Sequence, residues 1–247
     1  MDESSTPRPI LVAIDLETTG LDARKHSICQ LGCTVFEQGQ ILGSRTWDVF
    51  VSEDDFNNAE PEALAVNGFT LARCQAGMHI TDVLDEFTYY CCSFSNFATW
   101  GAVFHNAPFD VSFLRSSGGF VRRSFVDLLL RRVLDTVTMG WLLGERDADS
   151  LSLESLVRRY IGAPKWKHHD AGHDSLVTAM LCQKFMGWTT KYTLPKSQAE
   201  SLAGWLRQFT SNTTLISDIA RSKIEEAASL LVEQGVALDT LGELMED

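Results

Sequence analysis

Nowhere in the 247 residues is there an apolar run of about 18, so no membrane-spanning helix is expected and no membrane partner with it. The first nine residues are polar and acidic, without the apolar core of a secretory signal, and the chain reads as cytoplasmic. Cysteine is sparse, with six in all and no Cys-x-x-Cys spacing. Cys91 and Cys92 are adjacent, and Cys29 and Cys33 stand four apart in a strand-like stretch. That pattern argues against a zinc site or a disulfide framework and for reduced, mostly buried thiols. Positive charge is also scarce: 21 Lys and Arg face 33 Asp and Glu, a formal net charge of -12. Such a balance speaks against a chain that grips a polyanion along its length, because counterions are released only where Lys and Arg meet phosphate. No internal repeat or low-complexity tract is evident.

What is present is 45% hydrophobic content, enough for one α/β domain of ordinary core plus a small appendage. Residues 9–15 form a continuous apolar run, as a central strand buried on both faces would. Residues 27–36 and 41–51 read as two further strands joined by the turn at 37–40. The acidic, Asn-rich stretch 52–60 reads as a loop. A helix is expected over 81–91, with Thr81 or Asp82 near its cap. A strand follows at 99–104, and then a helix with Pro108 in its first turn that stops at Gly118-Gly119. A short strand at 132–136 precedes helices at 137–143, 151–160 and 174–188. Three meandering strands followed by alternating strands and helices predict a mixed five-stranded α/β sheet flanked by helices. A domain over 8–190 and a helical extension over 191–247 follow from this pattern. Helix-like stretches lie at 198–209, 219–234 and 240–245, the last with Thr240 and Glu243 in capping-box spacing.

The chemistry is carried by three short segments. Asp15 and Glu17, in Asp15-Leu16-Glu17-Thr18-Thr19-Gly20-Leu21, stand two apart at a strand end. Period-two geometry gives them one face, roughly 6–7 Å apart at the backbone. Two carboxylates so close are unfavourable without a compensating cation. Asp110 ends Asn106-Ala107-Pro108-Phe109-Asp110, in the first turn of a helix whose dipole favours its ionised form. His105 beside it reads as a packed strand-end histidine. His169 and Asp174 are five apart, about 140° on one helix, and would share no face there. A break at Gly172 would put His169 in a loop and Asp174 in the first helical turn. His168, His169 and His173 are then all candidate bases.

Taken in order, these segments resemble the three motifs of the DnaQ-like (DEDDh) 3′→5′ exonucleases. That family has an RNase H-like fold and includes the proofreading epsilon subunit of bacterial DNA polymerase III, RNase T and oligoribonuclease. The resemblance covers roughly residues 9–188. It implies Asp15, Glu17, Asp110 and Asp174 as ligands of two Mg²⁺ or Mn²⁺ ions, and His169 as general base. It implies hydrolysis of the terminal phosphodiester of a single-stranded 3′ end, releasing nucleoside 5′-monophosphates. It further implies Glu17, Thr18, Leu21, Glu62, Asn67, Asn106, Phe109 and His169 as substrate contacts. Asp135 is expected to be structural or to support the metal ligands from behind, without being a ligand itself. Arg122-Arg123, Arg131-Arg132 and the run Lys165-Trp166-Lys167-His168-His169 are candidate phosphate contacts, with solvated surface charge as the plainer reading of the arginine pairs. The first motif leans towards DNA proofreading or repair, with trimming of RNA ends as the alternative. An intact set of acids and a histidine disfavours a non-catalytic binding module. The C-terminal extension is either a polymerase- or partner-binding segment or a lid.

Overall fold

The computed structural model describes residues 9–95, 99–117, 124–145, 149–162, 169–187 and 191–192. The expected helices beyond 193, the pair Arg122-Arg123, the glycines at 118 and 119 and the run 165–168 lie outside them. The strands are β1 (Ile10–Thr18), β2 (Ile28–Glu37), β3 (Gln40–Asp48), β4 (Trp100–Phe104), β5 (Val133–Asp135) and the two-residue β6 (Lys191–Tyr192). They form one sheet in the order β5-β4-β1-β2-β3-β6. β1, β2 and β3 are an antiparallel meander, β4 and β5 run parallel to β1, and β6 adds two residues parallel to β3. The expected five strands are all there, and β6 extends that sheet at its far edge.

β1 shows how alternation builds both the core and the site. Ile10, Val12, Ile14 and Leu16 enter one apolar cluster with Val83, Leu84 and Phe87 of α4 (Ile80–Cys92) and Phe113 and Leu114 of α5 (Ala107–Ser116). Leu11 and Ala13 enter a second cluster with Ala179 and Cys182 of α9 (Ala171–Phe185). By parity Asp15 and Glu17 continue the α9 side, so an apolar face turns acidic where the strand ends. All six cysteines are free, and five of them are buried.

The departures from the expected elements have local causes. The stretch at 52–60 contains a one-turn helix, α1 (Glu53–Asn57), because the Ser52 hydroxyl accepts the Asp55 N–H at 3.1 Å. Two more short helices, α2 (Pro61–Asn67) and α3 (Leu71–Gln75), follow. α4 begins one residue earlier than expected, capped by the imidazole of His79 rather than by Thr81 or Asp82. After α6 (Ser124–Leu129), Asp135 caps α7 (Thr136–Leu142), accepting the N–H of Val137 and of Asn106, both at 3.0 Å. That is the structural role expected of it. α8 spans Leu153–Tyr160. α9 begins at Ala171, with Asp170 as its N-cap accepting the His173 N–H at 3.3 Å.

Gly172 therefore does not break the chain. It lies inside the first turn of α9, where a Cβ would overlap the Thr46 hydroxyl. The turn comes earlier, at His169, whose φ is +57°. A second glycine governs the same approach. Gly32 stands opposite Asp15 in the β1–β2 ladder, and a Cβ on it would overlap the Ala171 carbonyl. A Gly32→Ala chain is expected to lose about 1–3 kcal/mol of stability, since backbone rather than a pliant side chain must give way. Urea unfolding checks this, and a midpoint equal to wild type would show that α9 can retreat freely.

Candidate active site

The acids and the histidine converge at the carboxyl ends of β1 and β4. A cavity of about 580 Å³ opens there, lined by Asp15, Glu17, Asp110, His169 and Asp174. Thr18, Leu21, Glu62, Asn67 and Phe109 line it too. Of the residues expected at the site, only Asn106 is not on its wall. Its φ of +68° turns the chain from β4 into α5.

Each acid is fixed by its element. Asp110 lies in the first turn of α5, and its Oδ1 accepts the N–H of Leu16 at 3.1 Å, tying the helix to the end of β1. Asp174 lies in the first turn of α9, and its Oδ2 accepts the N–H of His169 at 3.0 Å. That bond closes the left-handed turn and leaves the exposed imidazole beside Glu17 and Asp174. One ligand atom from each of Glu17, His169 and Asp174 falls within 4.8 Å of the others.

Asn67 is buried with its amide already engaged. Nδ2 donates to the Thr18 carbonyl at 3.0 Å, and Oδ1 accepts the Phe69 N–H at 3.1 Å. It braces the end of β1 from behind as well as lining the cavity. Glu60 does the same for the following turn: Oε2 accepts the Leu21 N–H at 3.1 Å, and Oε1 meets His26 Nε2 at 3.1 Å.

The acids repel one another. Burial raises the Asp15 carboxyl well above the usual range, and the charges of Asp110, Asp174, Glu17 and Asp170 add to the rise. Burial likewise raises Asp110, against the opposing hydrogen bonds of its own backbone N–H and that of Leu16. Burial, then Asp174 and Asp170, push Glu17 up to about 8, while the Asn67 amide and Arg73 pull the other way. Hard carboxylate oxygens, crowded enough to resist ionisation, are a fitting donor set for divalent cations, which relieve that repulsion.

A pH dependence follows. Without a divalent ion the folded chain holds the Glu17 proton up to about pH 8, whereas the unfolded chain releases it near 4.5. The stability linked to that proton is full below 4.5 and is lost as pH rises through 8. Urea midpoints in EDTA are expected to fall between pH 5 and pH 8, and Glu17→Gln is expected to flatten that part of the slope. An equal slope in the variant would refute the assignment.

Several residues line the cavity that were not expected at the site. His105 lines the wall, its Nδ1 2.9 Å from the Thr136 hydroxyl, and burial lowers its pKa to about 4. It is thus neutral near pH 7. Ser152, Leu153 and Glu154, at the start of α8, also face the cavity. The only signal for them was the helix preceding the third motif. Arg131 and Arg132 are exposed at the end of β5 remote from Asp135.

A mixed sheet that gathers four carboxylates and an imidazole at its strand ends defines a hydrolytic nuclease of RNase H-like fold. More particularly, the chain belongs to the RNase T exonuclease family, whose profile matches residues 12–182. A PolC-type DNA polymerase III of Thermotoga petrophila is 28% identical over 201 residues, covering 81% of this chain and 14% of that protein. The DNA polymerase III epsilon subunit of Rickettsia conorii is 24% identical over 179 residues, covering 71% of this chain and 73% of the subunit. The chain thus spans about a tenth to a seventh of the PolC-type relatives it matches. In fold it is similar to the nuclease domain of 3′hExo, a DEDDh family member, bound to rAMP. The TM-score is 0.59 at 11% identity, covering 77% of this chain and 98% of that one. It is also similar to E. coli Exonuclease I in complex with a dA16 oligonucleotide. There the TM-score is 0.58 at 15% identity, covering 81% of this chain and 44% of that one. Among the described residues no helix is long and apolar enough to cross a membrane.

Proposed function

We propose that this chain removes nucleotides one at a time from the 3′ end of DNA, releasing nucleoside 5′-monophosphates, in proofreading or repair. The observation that carries the reading is the convergence of Asp15, Glu17, Asp110, Asp174 and His169 on one cavity. The curated relatives named as DNA polymerase III favour DNA over RNA.

Asp15, Glu17, Asp110 and Asp174 would hold two Mg²⁺ or Mn²⁺ ions. Their contribution is Lewis-acid polarisation of the phosphodiester and neutralisation of its charge. His169 takes a proton from the attacking water, and its exposed ring passes that proton to solvent. Leu21, 73% exposed at the cavity mouth, and Phe109 offer apolar surface to the terminal bases. Glu62 and the backbone around Glu17 and Thr18 face the terminal sugar. Asn67 supports that contact through the Thr18 carbonyl it holds.

With a net charge of -12, binding is confined to a short footprint at a strand end. Residues 8–190 make up the exonuclease domain. Residues 191–247 are an extension for a polymerase or another protein partner, its first two residues joined to the sheet as β6, and the setting is cytoplasmic.

The test offers 5′-labelled single-stranded DNA, 3′-recessed duplex DNA and RNA of equal sequence with Mg²⁺. A ladder shortening from the 3′ end is expected, with initial rates on DNA roughly tenfold above those on RNA. Faster loss of RNA would overturn the substrate, and internal cutting would overturn the exonuclease reading.

A further inference from the structure

One polar side chain sits where an apolar strand has no evident use for it. Gln30 is 2% exposed, near the start of β2, directly opposite Glu17 in the β1–β2 ladder. Its Oε1 accepts the N–H of Ala171 at 2.8 Å. Ala171 is the first residue of α9, and its N–H can have no partner within its own helix. Gln30 Nε2 donates to Asp48 Oδ1 at 2.8 Å. Asp48 in turn receives both Nε and Nη2 of Arg73, at 2.6 and 2.7 Å. The Arg73 guanidinium lies over the Phe69 ring, 3.8 Å from its centroid. Through the bonds of Asn67 to Phe69 and Thr18, these contacts return to the end of β1.

We infer that Gln30 is a positioning residue for the nuclease site: through Ala171 it sets where the first turn of α9 stands against Glu17, held in its rotamer by Asp48 and Arg73. The inference rests on the exonuclease reading above. Gln30 is not a lining residue of the cavity. Its effect runs through Asp174 and His169, which the same first turn and its preceding loop carry. The chemistry requires an amide. Oε1 must accept from Ala171 while the other end donates to a carboxylate, and neither an ionised Glu nor Leu does both.

The test compares Gln30→Leu, Gln30→Glu and the double variant Gln30→Glu/Asp48→Asn in the full chain. The last restores a donor facing position 30, with the roles exchanged. Mn²⁺ affinity is measured by calorimetry without substrate, and kcat and KM are measured on single-stranded DNA. Gln30→Leu is expected to bind Mn²⁺ about tenfold more weakly and to lose roughly 10–100-fold in kcat, with KM within about twofold. Gln30→Glu is expected to lose as much, and the double variant to recover most of both. Wild-type Mn²⁺ affinity and kcat in Gln30→Leu would overturn the inference. So would a double variant no better than Gln30→Glu, a comparison that stands even if the leucine chain fails to fold. A wild-type chain that binds Mn²⁺ yet leaves the DNA intact removes the exonuclease reading instead. The Mn²⁺ affinities of the variants then decide the positioning role alone.

Discussion

An Asp15→Asn chain is expected to lose roughly 10³-fold of its hydrolytic rate and yet melt higher than wild type in EDTA. The two effects share a cause. Asp15 is raised well above the usual carboxylate range by burial and by four neighbouring carboxylates. Removing its charge relieves repulsion that only a cation otherwise offsets. The amide keeps the shape of the side chain, so the fold gains while the ion site is weakened. Calorimetry separates the two: the variant's melting temperature in EDTA should exceed that of wild type, and the order should reverse in Mn²⁺. A variant that melts lower in EDTA would show that Asp15 holds the strand end together by hydrogen bonding. One that keeps full activity would remove it from the chemistry.

His169→Asn is expected to cost about 10²–10⁴-fold in kcat with Mn²⁺ binding largely retained. Asparagine is the informative replacement because position 169 has φ +57°, a left-handed conformation that Asn tolerates better than most residues. The bond from the backbone N–H of residue 169 to Asp174 Oδ2 should therefore persist, keeping Asp174 in place. What is lost is the imidazole. Activity within a factor of three of wild type would assign the base elsewhere, His173 being the next candidate.

The parts of the site legible in the sequence are those whose logic is local. β1 announced itself by an unbroken apolar run, and parity alone put Asp15 and Glu17 on one face. Asp110 followed from Pro108 at a helix start. The relation of His169 to Asp174 was right in outcome and wrong in device, since a cap at Asp170 and a left-handed His169, not Gly172, turn the chain. The helix at Glu53–Asn57 was hidden because one turn has too little periodicity to outweigh a polar, Asn-rich composition. Gln30 was illegible for a different reason. Its meaning depends on which residue of β1 it faces and on a helix start 141 positions away, and no short window contains either.

The bond from Leu16 to Asp110 joins residues 94 apart, and the bond from Gln30 to Ala171 spans 141. A pocket assembled from such distant stretches exists only once the chain has nearly finished folding, because the meander of β1, β2 and β3 can form without it. Divalent ions thus have nothing to bind early. They should leave the folding rate almost unchanged and act as a brake on unfolding. By that route the site becomes a latch: the ions that equip it for chemistry also set how long each folded molecule lasts.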